Sequence, residues 1–260
     1  MSSSLPAERM LGLRVCAATA GDVASTLMQW TQEPIYGRYF VCMNPHSFES
    51  ARRLALFRAA AEAADLLIPD GIGVVLASRL SGGCIRERVC GPDVFRLLSG
   101  HLDTMRGKRV FFLGGRPDVL ETVVSRYRRE YPAIDVAGAY SPPFSASFSS
   151  SQNADIVARV NDHSPDVLWV GLGSPKQEIW TSAYAQSLTA KVIAPIGAAF
   201  DFYAGRVKPP PAWIQRSGLQ WLHRFTQEPG RLWRRNLDSP LFLVRVLWTN
   251  WFTNQSRYAI

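Results

Sequence analysis

Cysteine is scarce in this sequence. Its four thiols, Cys16, Cys42, Cys84 and Cys90, form no CxxC pair and have no His cluster beside them. That spacing excludes a zinc framework and a secreted disulfide scaffold, and leaves reduced thiols as the simplest reading. Long apolar runs are missing too. No stretch reaches the roughly 18 consecutive apolar residues of a membrane-spanning helix, and the nearest, 240–248, is broken by Arg245. Glu8, Arg9 and Arg14 interrupt the early part of the chain, so no signal peptide is expected. The chain is therefore expected to be soluble, or at most held on a membrane surface.

Chemical motifs are also lacking. Gly171 and Gly173 are followed by Lys176 where a dinucleotide fingerprint would place its third glycine. Walker A, HExxH, Asp-x-Asp and GxSxG patterns do not occur, and His46, His101, His163 and His223 are scattered. Neither a metal nor a cofactor is expected. The histidines read as surface or capping residues.

What is present is a core and an uneven charge. Hydrophobic residues make up 47% of the 260, and 29 Lys+Arg stand against 21 Asp+Glu, a net charge of +8. The length fits one large domain or a domain with an appendage. Residues 206–260 hold nine basic and two acidic residues, which is +7 of the +8, together with Trp213, Trp221, Trp233, Trp248 and Trp251. Residues 1–205 are thus nearly neutral. The boundary divides the chain into a 1–205 domain and a 206–260 appendage.

From about residue 38 to 197, strand-like and helix-like runs alternate. Apolar runs at 39–43, 66–68, 109–113, 136–140, 167–170 and 192–196 read as strands. Residues 46–64 read as one helix, with Phe48, Ala51 and Ala55 on one face. Further helices are expected at 73–80, from Pro117 to 131, at 154–161 and at 174–187, with a Ser/Pro-rich loop at 141–153. This alternation implies βαβ units: an α/β, Rossmann-like, mostly parallel sheet flanked by helices. Ligands of such sheets bind beyond the carboxyl ends of the strands.

The residues at those ends each carry two readings. Asp70, in Pro69-Asp70-Gly71, is favoured as a turn residue by spacing alone, and its place after a strand also suits a general base. Ser174, Pro175 and Gln177 form a capping-box pattern, behind which Gly173 and a helix N-terminus suit a diphosphate. Gly114-Gly115 before Pro117 is a second such cradle. Asn44 ends a strand before Pro45. Tyr140 suits the core or a flat ring. Asp201, flanked by Phe200 and Phe202, needs an arginine or a ligand hydroxyl. The Arg/Trp tail suits nucleic acid, an anionic bilayer, or a basic helix pair packed on the core.

Taken together, MNPHSF (43–48), ADLLIPDGIGVV (64–75), RVCGPDVF (88–95), VFFLGG (110–115), VLWVGLGSPKQEIW (167–180), IGAAFDFYAG (196–205) and GLQWLHRFTQEPGRLWRRNL (218–237) resemble the WecG/TagA/CpsF glycosyltransferase family. The resemblance implies an inverting, metal-independent bacterial enzyme without cofactor. Such an enzyme moves a hexose (glucose, a uronic acid or an N-acetylhexosamine) from a UDP-sugar to a polyprenyl-diphosphate-linked saccharide of a surface or exopolysaccharide. It makes Asp70 the base, with Asn44 and Gln177 around it and the donor sugar, and Arg88 a pocket arginine. It puts Tyr140 on the uracil, Asp201 on the nucleoside, and Arg224, Arg231 and Arg234 on a diphosphate. It implies a cytoplasmic protein at the inner face of the plasma membrane, held there by 206–260, with homo-oligomers allowed. Two departures stand out: Cys42 replaces the family's usual Thr, and Ser141-Pro142-Pro143-Phe144 replaces the Gly-Tyr-Phe pattern of ManNAc transferases, which makes glucose or a uronic acid at least as well suited. The tail's charge then fits diphosphate and headgroups better than the alternative partner, nucleic acid.

Overall fold

Eight short strands and their connecting helices position the site in the computed structural model, which describes residues 5–207 and 238–249. The chain opens with an antiparallel hairpin, β1 (Ala7–Met10) and β2 (Leu13–Cys16), and helix α1 (Ala20–Trp30). Strand β3 (Arg38–Met43), helices α2 (Pro45–Arg53) and α3 (Ala55–Ala63), and β4 (Leu66–Pro69) follow. Helices α4 (Ile72–Leu80) and α5 (Gly91–Asp103) cross over to β5 (Arg109–Gly114). Next come α6 (Pro117–Glu130), β6 (Asp135–Tyr140), α7 (Ser150–His163), β7 (Val167–Gly171), α8 (Lys176–Tyr184), β8 (Val192–Pro195) and α9 (Ala199–Tyr203). A last described helix, α10, spans 238–249.

β3 to β8 form one six-stranded parallel sheet in the order β4-β3-β8-β7-β5-β6. Because successive side chains point to opposite faces, each central strand feeds two cores. Phe40, Val110, Phe112, Trp169 and Ala194 meet α1, α5, α6 and α9 on one face. Tyr39, Val41, Phe111, Leu113, Leu168, Val170 and Ile193 meet helices α2, α3, α7 and α8 on the other. This is why the strands read as continuous apolar runs rather than alternating ones. Each fully buried Phe or Leu contributes roughly 1.5–3 kcal/mol.

Three expected elements differ. The single helix over 46–64 is two, broken at Leu54, whose backbone is extended at φ −121° and ψ 105°. At about 100° per residue, Phe57 lies half a turn away from Phe48, so a straight helix would send their two apolar sets to opposite faces. The break lets both be buried. The loop expected over 141–153 ends at Ser149, whose side chain caps α7 in a box with Gln152, so the serines start the helix. The capping box at 174–177 is absent. α8 begins at Lys176 without a side-chain cap, and the Gln177 N–H is taken by the Gly173 carbonyl at 2.9 Å.

Candidate functional site

Register brings the strand ends to one edge. Met43 lies opposite Pro69, Gly114 opposite Gly171, and Val170 opposite Pro195. The residues that follow therefore emerge side by side. Asp70 leaves β4 with its N–H donating to the Met43 carbonyl at 2.9 Å, next to Asn44. Asn44 is the N-cap of α2: its Oδ1 accepts from the Ser47 N–H at 2.9 Å, and its Nδ2 lies 3.5 Å from Asp70 Oδ2. One side chain thus caps a helix and holds the carboxylate. Gly71, at φ +102°, and Gly73 keep the approach open, since a Cβ on Gly73 would sit 2.8 Å from the Pro45 ring.

The segment before α5 joins this pair. Val89 N–H donates to the Pro69 carbonyl at 2.8 Å, which carries Arg88 and Cys90 to the Asp70 turn. Arg88 lies 3.4 Å from Asp93, and Cys90 Sγ donates to the same carboxylate at 2.8 Å. Burial pushes the Cys42 and Cys90 thiols well up, and the charge of Asp70 pushes both further. Both thiols are therefore held protonated around the carboxylate. Glu8, which sequence reasoning missed, braces this segment from the hairpin by accepting from the Cys84 and Ile85 N–H groups. Only the folded hairpin brings it there, so no sequence signal marks it.

The second half of the edge is built of glycine. Gly114 sits at φ +100°, where a Cβ would lie 2.7 Å from the Gly171 backbone, and Gly115 N–H donates to the Gly171 carbonyl at 3.0 Å. The Phe200 ring lies under Gly171, 2.5 Å from where its Cβ would be. These contacts bring the N-termini of α6 and α8 to the edge. Neither N-cap residue caps its helix through a side chain, and of the first-turn N–H groups that of Gln177 is already taken by the Gly173 carbonyl, so it is the others that suit an anion. Gln177 is buried beneath Gly173, whose N–H donates to its Oε1 at 3.2 Å.

Of the two partners its position allowed, an arginine or a ligand hydroxyl, Asp201 has the arginine: Arg206 at 3.6 Å, with Arg116 close enough to feel its charge. Tyr140 stands at the end of the edge strand, with the Arg159 guanidinium 4.6 Å from its ring centroid on one face. Arg224, Arg231 and Arg234 lie outside the described residues. The structure thus brings Asn44, Asp70 and Arg88 into one group and Gly114, Gly173 and Gln177 into a neighbouring one. The Cys42 Sγ, 4.0 Å from the Pro195 carbonyl, stands between β3 and β8. Tyr140 and Asp201 flank the groups. Two cavities lie elsewhere and contain none of these residues: one of about 420 Å³ between Leu13, Phe48 and Trp248, and one of about 500 Å³ between Arg9, Trp30 and Asp65. Among the described residues, no group of three or more His, Cys, Asp or Glu is placed to hold a metal, and no helix is long and apolar enough to cross a membrane.

A parallel α/β sheet with a carboxylate and two helix N-termini at its carboxyl edge defines a Rossmann-like protein, and sheets of this kind take their ligands at that edge. Sequence comparison makes the assignment specific: residues 8–256 match the Glycosyl transferase WecG/TagA/CpsF family, and the chain belongs to it. It is similar to the N-acetylglucosaminyldiphosphoundecaprenol N-acetyl-beta-D-mannosaminyltransferase of Bacillus spizizenii (strain ATCC 23059 / NRRL B-14472 / W23), with 33% identity over 211 residues, 81% of this chain and 79% of the relative. The protein of the same name from Bacillus subtilis (strain 168) is 36% identical over 185 residues, 70% of this chain and 68% of the relative.

Proposed function

We propose that this protein transfers a hexose from a UDP-sugar to a saccharide linked to a polyprenyl diphosphate, with inversion and without a metal. The observation that carries the reading is the Asp70 carboxylate, fixed beside Asn44 at the end of β4. In the reaction, Asp70 takes the proton of the acceptor hydroxyl as its oxygen bonds to the anomeric carbon, and the bond to UDP breaks on the opposite side. The chain has no Asp-x-Asp pair, so the departing diphosphate is met by the N-termini of α6 and α8 and by arginines. Arg88 serves the pocket near Asp70, and Arg224, Arg231 and Arg234 serve a diphosphate. Gln177 holds the turn beneath the donor, Gly114 and Gly173 let phosphate approach the backbone, and Asp201 and Tyr140 meet the nucleoside.

The acceptor class is supported by the names of the relatives, which carry diphosphoundecaprenol. Residues 206–260 form the appendage that seats the protein on the anionic inner face of the plasma membrane and closes the site, in a monomer or a homo-oligomer. The test is a panel of UDP-glucose, UDP-glucuronate, UDP-GlcNAc and UDP-ManNAc with a synthetic lipid-diphosphate GlcNAc acceptor, read by mass spectrometry. One donor should add the mass of one residue of its own sugar to the acceptor. No addition from any donor overturns the reading.

A further inference from the structure

At the start of α8 two adjacent polar side chains, an amide and a carboxyl, are buried together. Gln177 is 4% exposed and Glu178 is 2% exposed. Gln177 Nε2 donates to Glu178 Oε1 at 2.9 Å, while Gln177 Oε1 accepts from the Gly173 N–H at 3.2 Å. A primary amide has two orientations of nearly the same shape, and only its partners choose between them. Glu178 Oε1 accepts from the amide, which draws the nitrogen to Glu178 and leaves the oxygen for Gly173. The reversed amide would set donor against donor at Gly173 and oxygen against oxygen at Glu178. The fixed amide also fills the space over the next turn: a Cβ on Gly197, at φ +54°, would lie 3.3 Å from both Nε2 and Oε1. One amide therefore spans the turns that follow β7 and β8. Glu178 and Asp70 are both close enough to Cys42 to push its thiol up.

We propose that Glu178 is a positioning residue that acts through Gln177, orienting its amide so that the Gly173 and Gly197 turns keep the spacing the substrate meets. The kinetic arm of its test rests on the transferase reading; the exchange arm does not. The variants are Gln177→Ala, Glu178→Ala, Glu178→Gln, and the doubles of each Glu178 change with Gln177→Ala. Each alanine change should lower kcat/KM about tenfold or more, and neither Glu178 change should lower it further once Gln177 is alanine. Glu178→Gln keeps an acceptor oxygen and should recover most of the loss. In hydrogen exchange without substrate, the Gly173 amide should exchange faster in Gln177→Ala and in Glu178→Ala, and less so in Glu178→Gln. Additive losses in the doubles would assign Glu178 a separate role and overturn the proposal. So would Gly173 exchange unchanged by Glu178→Ala, or Glu178→Gln as damaging as alanine. If Glu178→Ala does not fold, Glu178→Gln alone and with Gln177→Ala carries the same comparison. If the wild-type protein transfers no sugar, the transferase reading fails while the exchange experiment still decides the role of Glu178.

Discussion

Asp70 and Asn44 divide the labour of the proposed base. A carboxylate at a strand end works as a base when it is held in place and left accessible, and the Asn44 amide at 3.5 Å, fixed at its other end by the Ser47 N–H, is one contact that holds it. Asn44→Asp preserves the helix cap, since Asp caps as well as Asn, but places a second negative charge beside Asp70. A like charge disfavours the ionised form, so the Asp70 pKa rises. The acid limb of the kcat/KM profile should therefore move to higher pH, as measured by initial rates across pH 4–8. A limb that stays put or moves down contradicts the Asn44–Asp70 contact. The glycines of the neighbouring turns make a matched pair. Gly114→Ala combines a left-handed backbone with a Cβ 2.7 Å from the Gly171 backbone, whereas Gly173→Ala at φ +82° meets nothing within 4 Å. Gly173→Ala should cost about 1–2 kcal/mol by denaturant melt, from backbone strain alone, and Gly114→Ala clearly more.

At the scale of elements, α2 links the site to α10. Asn44 caps its first turn, and its body holds α10 through Phe48 against Phe242, with ring centroids 4.8 Å apart. Glu49, almost fully buried, pairs with Arg52 and with Arg245 of α10, each at 3.0 Å. Asp238 pairs with Arg53 and His46, both at 2.6 Å. Burial pushes the Asp238 carboxyl up, but hydrogen bonds from Arg53 and His46 more than offset it and hold it below the usual carboxylate range. A group with a depressed folded pKa stabilises fully above its unfolded pKa, about 3.9, and loses that stabilisation as pH falls through the folded value. Hydrogen exchange of the 238–249 segment should therefore speed up as pH drops below about 4, after correction for intrinsic rates, and Asp238→Asn should remove that dependence. The sequence made the sheet legible because buried parallel strands leave unmistakable apolar runs, and the strand ends then located Asp70, Asn44 and the glycine turns. It did not disclose the Leu54 break, which depends on two apolar sets facing opposite ways. Nor did it disclose the hairpin that carries Glu8 or the Asp238–Arg53 pair, whose partners are 185 residues apart.

On the scale of the whole molecule, charge and chemistry are separated along the chain. Residues 206–260 carry +7 of the +8, and the sheet that holds the carboxylate belongs to the nearly neutral remainder. An anionic bilayer attracts such a segment by about 1 kcal/mol per basic residue near the surface, within a Debye length. Cosedimentation with vesicles containing phosphatidylglycerol should exceed that with phosphatidylcholine vesicles and fall as salt rises. Equal binding to both would remove the electrostatic seat from the account. The central claim is that Asp70 takes the proton of an acceptor hydroxyl during sugar transfer. Its most direct measurement is the transfer rate of Asp70→Asn beside the wild-type protein, with the donor selected by the panel and a lipid-diphosphate acceptor, and with the folding of both checked by circular dichroism. The account predicts a folded variant whose transfer is slower by about 10²–10⁴-fold. A folded Asp70→Asn that transfers sugar at the wild-type rate would contradict it.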